Sequence, residues 1–128
     1  MAVTKKMLES IIKFRLSEHK KDKLLIRYEG FIGRGINGVS SNSIWLMDYP
    51  DESVTVNYIK QYDGKEEKTI QLGYELEEDY LIAAYQHYCR DTKYNPNSEW
   101  EKDGSRHSVI IPYDRISSLE IRYEDKGV

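Results

Sequence analysis

Two arginines stand in settings that suit an anion. Arg34 is flanked by glycine in Gly33-Arg34-Gly35-Ile36-Asn37-Gly38. Bare backbone around a guanidinium lets a flat, negatively charged ligand come close enough for a bidentate phosphate contact. Arg115 stands in Ile111-Pro112-Tyr113-Asp114-Arg115-Ile116, where proline sets a corner that groups a ring, an acid and a cation between two apolar runs. Each has a plainer reading: glycines that permit a bend between strands, and an Asp114 to Arg115 surface pair with Tyr113 packed on a sheet. The segment from 33 to 38 spells G-x-G-x-x-G, but a strand-like run follows it where the dinucleotide fingerprint needs a helix. A kinase glycine loop would need H-R-D and D-F-G segments, which the sequence lacks.

Aromatic and amide side chains offer the complementary half of such a site. Eleven tyrosines accompany two Phe and two Trp, a bias toward rings that pack on one side and hydrogen-bond on the other. Tyr88 falls at the end of an expected helix, beside a polar stretch, where its ring could stack on a base while its hydroxyl stays wet. Tyr85, on the same stripe, reads as core. Asn95 and Asn97 carry donors and acceptors suited to a base edge or a ribose, and beside Pro96 they are also turn formers. His87 and Cys89 are two residues apart, so a helix would send them to different faces. With His19 and His107 the only other histidines and Cys89 the sole cysteine, no metal-ligand spacing emerges. Serines lie outside any G-x-S-x-G or Cys-His pattern. The expectation is a binding protein with no catalysis, no metal and no cofactor.

The elements that must hold these residues follow from periodicity. Met7, Ile11 and Phe14, widened by Leu8, Ile12 and Leu16, predict a helix over 4–20 with Thr4 as N-cap. Alternation from Leu24 to Glu29 predicts a strand, and others are expected over 43–49, 54–62 and 69–74, with Asp63-Gly64 as a hairpin turn. Acids from Glu75 to Asp79, followed by Leu81, Ala84, Tyr85 and Tyr88, predict a second helix ending near Arg90. Residues 91–105 read as a long polar loop and candidate lid, and closing strands follow from His107. The fold class is therefore α+β: an N-terminal helix, a strongly bent antiparallel sheet, and a second helix inserted before the closing strands.

Bulk properties narrow the partners. At 128 residues the chain suits a single domain, 1–128, and its 39% hydrophobic and 32% charged residues suit a compact core. A net charge of −3 removes the general attraction to phosphate expected of a double-stranded nucleic-acid binder. No apolar run is long enough to cross a bilayer, so no membrane partner is expected, and the lone cysteine with no signal-like N-terminal run suggests the cytoplasm.

Two resemblances attach to these residues. The strands around Gly33 to Leu46 and Val109 to Ile121 are similar to the halves of an Sm-like small barrel, with Ile116-Ser117-Ser118-Leu119 in place of its terminal aliphatic run. That likeness implies an RNA-binding module, although Pro112-Tyr113-Asp114 stands where that family's second RNA loop would be. Over most of the chain the element order, with Gly33-Arg34-Gly35 and Tyr113-Asp114-Arg115 as anchors, resembles the phage Thoeris anti-defence family of the first type. Members are small oligomeric proteins that sequester cyclic ADP-ribose isomers without cleaving them. The resemblance implies Arg34 and Arg115 on the ligand phosphates and Tyr88 with Asn97 engaging its base, in a pocket closed by the Tyr113 to Arg115 corner. It further implies a homo-oligomer, hexameric in that family, acting in the cytoplasm of an infected bacterium; some members also capture cyclic oligonucleotides at separate sites. A third reading, from the exposed tyrosines alone, is a protein-binding inhibitor.

Overall fold

A computed structural model describes residues 2–16, 22–31, 39–48 and 55–123. The glycine-rich segment with Arg34 lies outside them. Thr4 caps α1 (Lys5–Ile11), its Oγ1 accepting from the Met7 amide at 3.1 Å. The helix continues as a wider π-helical turn, Ile12–Leu16. Leu8, Ile12 and Leu16, four residues apart, are its buried edge, while Phe14, counted on that stripe from the sequence, is exposed.

The strands are β1 (Lys23–Phe31), β2 (Val39–Leu46), β3 (Thr55–Lys60), β4 (Lys65–Leu76), β5 (Tyr80–Asp91), β6 (Glu101–Lys102), β7 (His107–Pro112) and β8 (Ile116–Arg122). They form two antiparallel sheets, one ordered β2-β1-β8 and the other β3-β4-β5-β6, with β7 also pairing β5. Leu24, Ile26, Ile44 and Leu46 of the first sheet share one buried cluster with Val56, Leu81, Ala83, Tyr85 and Ile111 of the second, and the α1 residues join it. The sheets therefore face each other across a common core.

This architecture corrects the α+β expectation. Residues 80–91, assigned to a second helix, are the strand at the centre of the larger sheet, and two sheets replace the single bent one. Leu81, Ala83 and Tyr85 are buried at a spacing of two, the period of a strand. The run of acids at 75–79 belongs to the β4 to β5 connection, where the Glu77 amide donates to the Tyr80 carbonyl. Leu81, Ala84, Tyr85 and Tyr88 satisfy helical spacing as well, but Tyr, Ile, His and Cys pack readily on a pleated surface, and eleven register pairs with β4 decide the matter. The expected lid is broken by β6, which pairs with Tyr88 and Cys89.

Register is set at two points. Asp63 (φ 58°) and Gly64 (φ 79°) make the left-handed turn that joins β3 to β4, and a Cβ on Gly64 would lie 2.6 Å from the Lys93 amide nitrogen. Between Gln71 and Gly73 the β4 to β5 register shifts, leaving Leu72 as the extra residue of a bulge. Beyond that bulge Gln71 turns into the core. It is 1% exposed, and its amide clips the two sheets together: Oε1 accepts from the Met47 amide at 2.8 Å and Nε2 donates to the Met47 carbonyl at 3.1 Å.

Gln71→Leu should leave both backbone groups of Met47 buried and unpaired, costing about 3 kcal/mol of stability by chemical denaturation. Gly64→Ala should cost about 2 kcal/mol or more, because a left-handed residue would meet fixed backbone. Denaturation midpoints within experimental error of the parent chain would contradict either assignment.

Candidate functional site

The side chains of β4 and β5 alternate between a side facing the first sheet and a side facing away from it. Toward the first sheet, and past the Gln71 clip, lie Thr69, Tyr85 and His87, with Asn57 from β3 and His107 from β7 in the neighbouring register positions. The Tyr85 hydroxyl donates to the Trp45 carbonyl at 2.8 Å, a second bond between the sheets. Beyond it the sheets part around a hollow of about 220 Å³ whose lining includes Tyr28, Trp45, Tyr85, Asn57, Thr69 and His107. Three rings and the imidazoles of His87 and His107 around so small a space suit one flat ring system.

Imidazoles furnish the rim. His87 and His107 stack with centroids 4.8 Å apart and planes 22° off parallel, and Tyr85 lies 6.0 Å from His107. Thr69 Oγ1 and His87 Nδ1 are 2.6 Å apart, which fixes one ring nitrogen and leaves Nε2 for another partner. Among the described residues no group of three or more His, Cys, Asp or Glu could hold a metal ion.

An adjoining hollow of about 240 Å³ shares Asn57, Thr69 and His87 and is further lined by Glu67, Asp103, Lys68 and Tyr88. Glu67 and Asp103 are acceptors suited to sugar hydroxyls. Lys68 makes no ion pair with any described carboxylate; its ammonium instead lies 5.6 Å from the Tyr88 centroid and 4.6 Å from that of Trp100. Burial first, and then the Arg90 charge, hold its pKa below the usual lysine value.

The residues expected from the sequence are scattered. Tyr88 borders the second hollow, though on a strand. Asn97 is exposed in a turn, its amide donating to Asn95 Oδ1 at 3.0 Å, which is the turn-forming reading of that pair. Tyr113 is buried in a short 3-10 turn, Tyr113–Arg115. Its amide donates to the Asp79 carbonyl and its hydroxyl to the Glu77 carbonyl. Asp79 precedes Tyr88 by nine residues, roughly 30 Å of extended chain, so Tyr88 and Tyr113 belong to opposite ends of β5. The hollow beside Tyr113 is ringed by Glu78, Asp79 and Asp114, a poor setting for phosphate. Arg115 occupies that same turn, and Arg34 lies outside the described residues.

Asn57, Thr69, Lys68 and Trp45 were not singled out from the sequence. The hairpin turn does carry a signal for three of them: with Lys60 opposite Glu66, counting outward sets Tyr58 opposite Lys68 and places Asn57 beside Thr69. No family model, no curated protein and no solved structure matches the chain. No helix among the described residues is long and apolar enough to cross a membrane.

Burial raises the Tyr85 hydroxyl far above its ordinary pKa near 10, and raises Tyr74, with help from Asp48, to about 12. A folded-state pKa above the unfolded value favours folding below the unfolded pKa and loses that contribution as pH climbs through the folded one. Unfolding free energy should therefore decline from pH 10 upward, and decline less steeply in a Tyr74→Phe, Tyr85→Phe variant. Equal slopes for parent and variant would show that these hydroxyls are not the cause.

Proposed function

We propose that the chain binds a cyclic nucleotide, of the cyclic ADP-ribose class, and withholds it from a host defence effector without altering it. The observation that carries this reading is the pair of adjoining hollows at the open mouth of the two sheets. Tyr28, Trp45, Tyr85 and His107 border a space for one base. Asn57, Thr69 and His87 lie where both spaces meet and offer edge contacts, while Glu67 and Asp103 suit ribose hydroxyls. Lys68 borders the second space from the outer side of β4, its ammonium lying against the Trp100 ring. Tyr88 is the one residue of the expected set that borders this space. Arg34 enters the proposal as a phosphate contact and a homo-oligomer of the chain as its working form; Arg115, in the turn at the far end of β5, does not reach this space within one chain. Nothing in the arrangement calls for a reaction: binding energy from stacking and charge-assisted hydrogen bonds suffices for sequestration.

Isothermal titration with cyclic ADP-ribose isomers tests the proposal directly. One isomer should bind and be recovered unchanged, and Thr69→Ala or Tyr28→Ala should weaken it about tenfold. Absence of heat for every isomer would end this reading, as would turnover of the bound molecule.

A further inference from the structure

The opposite side of the same strands carries a second arrangement, which meets the hollows at the mouth only at Lys68 and Tyr88. Register pairs place Tyr58 opposite Lys68, Lys68 opposite Tyr88, and Tyr88 opposite Lys102, one residue from each of β3, β4, β5 and β6. The result is a straight row, ring, cation, ring, cation, across the side turned away from the first sheet. Adjacent strands stand about 4.8 Å apart, so the two tyrosines are separated by roughly 10 Å with an ammonium between them.

Trp100 extends the row. Its ring meets Tyr58 edge-on at 6.4 Å and lies 4.6 Å from the Lys68 ammonium and 4.3 Å from the Arg90 guanidinium. The charges are unevenly committed. Arg90 is paired with Glu66 at 3.0 Å, and Tyr58 donates its hydroxyl to the same carboxylate. Lys68 and Lys102 form no ion pair with the described residues. Tyr58 keeps 51% of its surface exposed, so its ring is open to a ligand.

We infer that this row is a binding platform for single-stranded nucleic acid, distinct from the hollow between the sheets. Rings at regular intervals stack on successive unpaired bases regardless of their identity, and ammonium groups between them meet the intervening phosphates. A duplex offers neither, because its bases are stacked on one another. The chain's net charge of −3 limits attraction to this local strip, so contacts are few and the platform is two or three nucleotides long. Tyr58, Trp100 and Lys102 border neither hollow at the mouth, so the platform and the cyclic-nucleotide site are separable by mutation.

Fluorescence anisotropy with a labelled oligouridine of about ten nucleotides, at low and at moderate salt, tests the inference. Binding should weaken with salt, and Lys102→Ala should reduce the magnitude of the log-log slope by about 0.7, the share of one phosphate contact on a single strand. Tyr58→Ala should weaken binding about tenfold while leaving the circular dichroism spectrum of the folded chain in place. Neither substitution should change the titration with cyclic ADP-ribose isomers, whatever that titration gives. The platform is refuted by no anisotropy change at low salt, by equal affinity for a duplex of the same length, or by full affinity in both variants.

Discussion

Two side chains of the larger sheet reach across to the backbone at and just beyond the end of β2 and hold it. Gln71 takes both polar groups of Met47, and the Tyr85 hydroxyl takes the carbonyl of Trp45. Apolar packing alone would let two sheets slide, because it is nearly indifferent to direction. A buried amide with two fixed partners is not: displaced, it leaves donors and acceptors unpaired in a medium that cannot solvate them. These bonds set where the sheets meet and therefore where they part. The space bounded by Tyr28, Trp45 and Tyr85 begins where the clip ends.

From that point outward, β4 and β5 serve two surroundings at once. Thr69 and His87 face the first sheet, and their neighbours Lys68 and Tyr88 face away. The two sides share a backbone but differ in chemistry. One is a confined space bordered by rings, imidazoles and carboxylates; the other is an open strip of rings and cations. Central strands of a sheet are rigid supports, so side chains mounted on them keep their spacing better than side chains on loops. The long polar stretch after β5, which reads from the sequence as a lid, delivers Trp100 and Lys102 to the open strip.

Much of the local structure was legible from composition and spacing. Thr4 is the helix cap it reads as, and Asp63-Gly64 is the turn it reads as, because both depend on neighbours within a few residues. The central strand was not, since Leu81, Ala84, Tyr85 and Tyr88 fit helical spacing while Leu81, Ala83 and Tyr85 fit extended spacing. Sequence windows hold no information about β4, and pairing with β4 is what settles the choice. The candidate site was readable only in part for the same reason. Tyr88 was found as a ring beside a polar segment, whereas Lys68 becomes notable only when pairing brings it between Tyr58 and Tyr88.

The extra residue at Leu72 has a consequence for which chemistry goes where. On β4 the core-facing positions run Leu76, Tyr74 and then Gln71, Thr69 and Glu67, so the alternation changes phase once, at the bulge. Had β4 run without it, Leu72 would point inward in place of Gln71, and every position back to the hairpin would trade sides. The ammonium of Lys68 would then be buried between the sheets, and the hydroxyl of Thr69 would stand in open solvent. A single unpaired residue thus acts as a phase selector, assigning polarity to each surface of the strand without altering any side chain.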